Sequence, residues 1–232
     1  MKNFSVSIAS YNIKHGADVG FDMAPFAQNI LDQSIDVVGV QEVDKNASRS
    51  QKIDTMRLLS LHTGYPNYRF FKTIPLGDEG EYGLGILSKY PILESELIPL
   101  DSAGAKEQRV LGRALIDVDG IHINFFVTHL SHDSDTTRAR QFDQIAAILK
   151  SYGDFVLTGD FNTSNFDEYA VIEYAGAVNN ASHSVATFPK TNASIDNIVY
   201  SAETWEFSAP RILTASHSDH YMLYATGNFL KR

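Results

Sequence analysis

Residues 35–43, IDVVGVQEV, carry the fold. Val37 to Val40 run without a polar side chain, so both faces of an alternating strand are apolar there. A strand of that kind is covered on both sides, as in a sheet packed between other layers. The run then stops at Gln41 and Glu42, side chains that a core does not choose. The strand is therefore buried along its length and polar at its end.

The flanking segments support the same architecture. Residues 4–13, FSVSIASYNI, alternate like a strand. Between the two strands, from Asp22 to Ser34, Met23, Phe26, Ala27, Ile30 and Leu31 recur at helical spacing. Further helices are expected at Asp54–Thr63, Asp135–Tyr152 and, shorter, Phe166–Tyr174. Strands are expected at Tyr68–Thr73, Gly83–Ser88, Leu93–Leu100, Arg109–Asp117 and His122–His129. Others fall within GDFVLTGDFN and at Ile195–Tyr200, Glu206–Leu213 and Tyr221–Gly227. Roughly ten strands do not fit one flat layer, which predicts two packed sheets flanked by helices. No repeat or Pro/Ser-rich linker divides the chain, so residues 1–232 are read as a single domain.

Composition narrows the partners. The chain has 19 basic and 28 acidic residues and a net charge of −9, which disfavours avid binding to long nucleic acid. It contains no cysteine, so disulfides, thiolate zinc sites and cysteine nucleophiles are excluded. No stretch resembles a signal peptide or a membrane span, and a cytoplasmic location is the expectation.

Several strands end in polar residues. They are Asn12, Glu42 and His129; then Asp160 and Asn162 after DFVLTG; then Asp196 in SIDNIVYS; and Asp219–His220 before YMLYA. Any one of these alone reads as a turn former or a solvated end. The repetition at six strand ends does not, because a rigid sheet aims such side chains into a shared crevice. Glu42, Asp160, Asn162 and Asp219 are hard oxygen donors that suit Mg²⁺ or Mn²⁺ rather than zinc. Such donors beside histidines suit phosphoester hydrolysis.

The motifs SYNIKHG, VVGVQEVD, YGLGILSKYPI, FFVTHLSH, VLTGDFNTS, SIDNIVYS and SHSDHYML occur in one order over nearly the whole chain. In that order they resemble the endonuclease/exonuclease/phosphatase superfamily, the DNase I-like metal-dependent phosphoesterases. The resemblance implies an α/β fold, a four-layer α/β/β/α sandwich of two mixed sheets with helices outside. It implies Glu42 as the main metal ligand, with Asn12 close by and Asp219 completing the metal environment. It implies His220 paired with Asp196, Asp160 and Asn162 positioning the attacking water and the phosphate, and His129 at the phosphate or the leaving oxygen. Either His220 or Asp160 fills the role of general base. The loop DKNASRS looks like one in small bacterial members, which places Arg49 at the substrate phosphate.

Two arginines of EQRVLGRAL, Arg109 and Arg113, share a strand face by alternation, so one or both are expected to reach the site; Arg113 is taken as substrate-binding. Arg138 and Arg140 open the long helix and are expected in structural ion pairs. In SHSDHYML, an extended backbone puts His217 and Asp219 on one face and His220 on the other, leaving His217 a loop residue. Asn197 in SIDNI and Tyr221 after SDH depart from the family's usual residues.

The expected activity is Mg²⁺- or Mn²⁺-dependent hydrolysis of a phosphoester on a small molecule or an exposed nucleic-acid or lipid headgroup, with no protein partner required. A DNA endo- or exonuclease is the alternative. A binding module that kept only the fold is a third reading, and the filled ligand positions weigh against it.

Overall fold

The computed structural model describes residues 4–77 and 79–230. In chain order the first half forms β1 (Ser5–Asn12), α1 (Ala24–Asp32), β2 (Val37–Lys45), α2 (Thr55–Thr63), β3 (Asn67–Leu76) and β4 (Gly80–Ser88). The second half forms β5 (Ile92–Pro99), β6 (Val110–Val118), β7 (Ile121–His129), α3 (Asp135–Tyr152), β8 (Val156–Asp160) and β9 (Ala175–Ala177). It closes with β10 (Asp196–Ser201), β11 (Trp205–Phe207), β12 (Arg211–Leu213) and β13 (Met222–Phe229).

One sheet has the order β11-β13-β1-β2-β4-β3, with β12 also paired to β13; the other has the order β5-β6-β7-β8-β10-β9. Each is mixed, and each has one parallel pair, β1 with β2 and β7 with β8. A parallel pair needs a crossover, and α1 and α3 supply the two.

Period-two alternation separates the layers. In β2, Val37 joins the core between the sheets, with Val6, Ile8, Phe125, Val127 and Ile198. Val38 and Val40 face the other way, onto Phe26, Ala27 and Ile30 of α1 and Met56 and Leu59 of α2. In β7, Phe125 and Val127 face inward while Phe126 packs outward against Phe142, Ile145 and Leu149 of α3. The four layers implied by the resemblance are thus α1/α2, the first sheet, the second sheet and α3.

Local signals set the boundaries. Asp54 caps α2 by accepting Arg57 N, and Gly64 ends it in the left-handed region at φ 73°. Ser134 caps α3 by accepting Thr137 N. The segment 166–174, expected as a short helix, is a 3-10 turn at Phe166–Val171. The strand expected at 206–213 is two strands, β11 and β12, with Pro210 between them; proline has no N–H to offer a ladder.

Gly39 fixes how closely the sheets approach. A methyl group there would lie 1.9 Å from Thr158 Oγ1 and 3.1 Å from Val127 Cγ2. Both neighbours belong to the opposite sheet. Gly39→Ala is expected to lower stability by at least about 1–3 kcal/mol, read from urea unfolding; a variant as stable as the parent would contradict this spacing.

Candidate active site

The parallel strands bring four ends to one edge of the sandwich. Asn12 of β1 is the Cα partner of Gln41 in β2, and His129 of β7 is the partner of Asp160 in β8. Asp196 opens β10 directly opposite Asp160. His220 lies just ahead of β13. Carboxyl ends of parallel strands are where open sheets place their sites.

Glu42 reaches this edge through a bulge. Val40 pairs with Gly85 and Val43 with Gly83, so Gln41 and Glu42 together stand opposite Leu84. Glu42 takes φ 57°, a left-handed conformation that costs free energy at a non-glycine residue. Bulges re-aim side chains, and this one turns the Glu42 carboxylate toward the second sheet.

Asp160 is the hub. Its Oδ2 accepts a hydrogen bond from Asn12 Nδ2 at 3.1 Å and lies 3.4 Å from His129 Nε2 and 3.7 Å from His220 Nε2. Its Oδ1 accepts Asn162 N at 3.0 Å. Asn12 Nδ2 also donates to Glu42 Oε1 at 3.0 Å, so one amide links the carboxylates of both sheets. Asn12 Oδ1 accepts Lys14 N at 3.1 Å, which leaves the Asn12 amide a donor toward the site. His220 Nδ1 is 2.9 Å from Asp196 Oδ2, and Phe188 packs on the imidazole at 4.9 Å between ring centroids. Ser218 Oγ donates to Asn12 O at 2.8 Å and pins this last loop to β1.

These contacts sort the charges. Burial would lower the His220 pKa, but the Asp196 carboxylate, helped by Asp160, raises it to about 10. His220 is therefore an imidazolium at neutral pH. Burial raises Asp160 well above the usual carboxylate range, and the neighbouring Asp196 charge adds to this. Burial alone would raise Glu42 as well; the His15 imidazole, the Asn12 amide and the His220 charge outweigh it and hold Glu42 at about 2. His129 is kept neutral by burial and by the Arg109 charge.

Glu42, His129, Asp160, Asn162, Asp219 and His220 line one open cavity of about 310 Å³. Asn12 and Asp196 stand behind them, buried. Asn162 takes φ 53° and ties its amide to Leu130 O at 2.9 Å. Asp219 is half-exposed, with its carboxylate 3.7 Å from Lys14 Nζ.

The arginines part company. Arg49 forms a bidentate pair with buried Asp44 at 2.8 and 2.7 Å, over the Tyr82 ring, on the wall of an adjoining cavity. Arg113 does not reach the site. Its guanidinium bonds Asn124 and Glu94 and stacks on Tyr152 of α3, on the outer face of the second sheet. Arg109 precedes β6, so strand alternation does not bind it, and it lines the cavity instead. Arg138 pairs with Glu168 and Arg140 with Asp101, both at 2.8 Å, as structural pairs.

His217 is exposed and packs edge-on to Phe26, with φ 58°. The segment ahead of β13 is thus a loop, and the alternation assumed for it does not apply. Asn197 is buried and bonds the backbone of Asn179, a structural use. His15 was not anticipated: its Nδ1 lies 3.9 Å from Glu42 Oε2, and both Lys14 and His15 have positive φ. Tyr82, Glu107 and His132 also line the cavity; they lie in YGLGILSKYPI, EQRVLGRAL and FFVTHLSH, but their residue types alone assign them no role there.

A model of the Endonuclease/Exonuclease/phosphatase family matches residues 9–220. The chain belongs to this family. Its members are phosphoester hydrolases and are generally divalent-metal dependent. An endonuclease/exonuclease/phosphatase from Beutenbergia cavernae is 18% identical with a TM-score of 0.83, over 97% of this chain and 72% of that one. A mannosyl-6-phosphatase from Bacteroides thetaiotaomicron is 18% identical with a TM-score of 0.74, over 95% of this chain and 98% of that one. D. rerio TDP2, in complex with a single-strand DNA product, is 20% identical with a TM-score of 0.73, over 97% and 99%. At these identities the likeness speaks for the fold. No curated relative matches the sequence.

Two groups of side chains suit a cation. Ligating atoms of Asp160, Asp196 and His220 lie within 4.8 Å of one another. Glu42 and Asp219 line the same cavity. A protonated His220 has no lone pair for a metal, whereas Glu42 is ionised and its Oε2 accepts no hydrogen bond among the described residues.

The His220–Asp196 pair gives a testable titration. Because the folded pKa is raised, its contribution to stability is complete below pH 6.5 and is lost as pH rises through about 10. NMR of the His220 ring should report titration near pH 10 in the metal-free protein, moving down in Asp196→Asn. An unchanged midpoint in that variant would contradict the pairing.

Proposed function

We propose that the chain is a divalent-metal-dependent phosphoesterase in which water attacks phosphorus in line, with residues 1–232 acting as one catalytic domain. The observation that carries this reading is the Asp160 carboxylate, buried with a raised pKa and ringed by Asn12, His129 and His220 at the wall of an open cavity. A carboxylate tuned upward is suited to accept a proton from water near neutral pH. Asp160 is therefore the general base in this account. His220, held as an imidazolium, offsets charge on the phosphate oxygens. Neutral His129 offers Nε2–H to the phosphate or the leaving oxygen, and Asn162 holds Asp160 in place through its backbone N–H.

Mg²⁺ or Mn²⁺ fits the ionised Glu42 together with Asp219, with Asn12 orienting Glu42. When bound, the cation offsets the charge that develops on phosphate oxygens. The step forms one bond from water oxygen to phosphorus and breaks the ester P–O bond. The water's proton passes to Asp160, which later releases it to solvent, and the departing alkoxide oxygen takes a proton from solvent, so the alcohol leaves neutral.

A small or exposed phosphoester is the substrate class favoured here. The similarity to a mannosyl-6-phosphatase and to a protein bound to a DNA product allows either a small molecule or a nucleic-acid end. The net charge of −9 favours the former. No helix of the described residues is long and apolar enough to cross a membrane, and a cytoplasmic location is proposed.

The test is hydrolysis of p-nitrophenyl phosphate and bis-p-nitrophenyl phosphate with added Mg²⁺ or Mn²⁺. EDTA should abolish turnover, and Glu42→Ala and Asp160→Asn should each reduce it by at least about a hundredfold. Turnover that survives EDTA, or that is unchanged in both variants, would sink the reading.

A further inference from the structure

Arg109 is nearly fully buried, yet its guanidinium is only half occupied. Nη2 lies 3.2 Å from Glu107 Oε2 and 3.4 Å from His132 Nδ1. Nε is buried and has no hydrogen-bond partner. The backbone is pinned: Arg109 N donates to Ser102 Oγ at 2.9 Å, and Arg109 O accepts Leu100 N at 2.9 Å. The side chain is thus a fixed cation in the wall of the cavity that holds His129, Asp160 and His220. Its charge is felt at His129, which it helps to keep neutral.

A buried guanidinium with unpaired N–H groups is costly unless an anion completes it. Glu107 does so in part, and its side chain is more exposed than that of Arg109. At the reaction centre His220, with the cation proposed at Glu42, would already offset the single charge of a phosphodiester. Arg109 lines the same cavity as His129 and adds a further positive group. A planar guanidinium suits two oxygens of one phosphate. His132, accepting from Arg109 at Nδ1, keeps its proton on Nε2 and so has a second donor among the residues lining the cavity. The adjoining cavity, of about 140 Å³, shares Glu42, Tyr82 and Glu107 with this one, so it offers the alcohol a small compartment.

We propose that the cavity is built for phosphomonoesters, with Arg109 and His132 binding the second negative charge that separates a monoester dianion from a diester. This rests on the phosphoesterase reading above and names its substrate class. The products are an alcohol and inorganic phosphate, so inorganic phosphate is itself a probe of the subsite.

Two measurements test it in the full chain. The first compares kcat/KM for p-nitrophenyl phosphate and bis-p-nitrophenyl phosphate in the parent and in Arg109→Gln. The monoester-to-diester ratio should fall roughly ten- to hundredfold, the size of one charge-assisted contact, mainly through KM. The second is calorimetric binding of inorganic phosphate, expected to weaken by a similar factor in Arg109→Gln and to tighten in Glu107→Gln, which leaves Arg109 in place. An equal loss on both substrates, or phosphate binding that is unchanged in Arg109→Gln, would overturn the proposal while leaving the phosphoesterase reading intact. If Arg109→Gln does not fold, Glu107→Gln decides: tighter phosphate binding supports the subsite, and unchanged or weaker binding rejects it. If the parent hydrolyses neither ester, the phosphoesterase reading fails, and phosphate binding that depends on Arg109 still tests the subsite by itself.

Discussion

Two buried carboxylates, Asp160 and Asp196, face each other as register partners on β8 and β10. Like charges so close and so dry are unfavourable. His220 makes the pair tolerable by sitting against both, 2.9 Å from Asp196 and 3.7 Å from Asp160. The loop carrying His220 must therefore return from the first sheet to the second. Its anchors are Ser218 on the β1 backbone and the Tyr11 hydroxyl, which donates to Ser216 O. The two sheets are joined at this edge by charge as well as by the apolar core.

From that pairing the remaining chemistry divides. The second sheet supplies Asp160, Asp196 and His129, with His220 delivered from the first, and the proposed proton transfer falls to Asp160. The first sheet supplies Glu42, aimed by a bulge and a left-handed backbone, and kept ionised by its imidazole and amide neighbours. Asn12 touches both halves through one Nδ2. Glu42, Asn162, Lys14 and His15 take left-handed backbones at this edge, where they aim side chains into the site.

Much of this was legible in residues 35–43 and in the recurring polar strand ends. Val37 and Val38 do face different cores, and Asn12, Glu42, His129, Asp160, Asp196 and His220 do converge. Two misreadings, of the Arg109/Arg113 face and of the face around His217, share a cause, because strand alternation does not extend past the ends of strands. Arg109 lies before β6, so it escapes the face that takes Arg113 out to Tyr152. His217 lies in a loop with a left-handed residue, so no face is defined for it. His15 follows Asn12 within SYNIKHG, but its place beside Glu42 depends on two successive left-handed residues that neither spacing nor apolar pattern encodes. Tyr82, Glu107 and His132 reach the cavity from three separate segments, and only the tertiary structure joins them.

The central proposal is a division of labour, with the cation at Glu42 and the proton at the Asp160–His220–Asp196 cluster. Calorimetric titration of Mn²⁺ into metal-free parent, Glu42→Gln and Asp196→Asn tests it directly. The account predicts that Glu42→Gln weakens Mn²⁺ binding by at least about tenfold, while Asp196→Asn leaves it close to the parent's. Binding that survives in Glu42→Gln and is lost in Asp196→Asn would place the cation in the buried cluster and contradict the account.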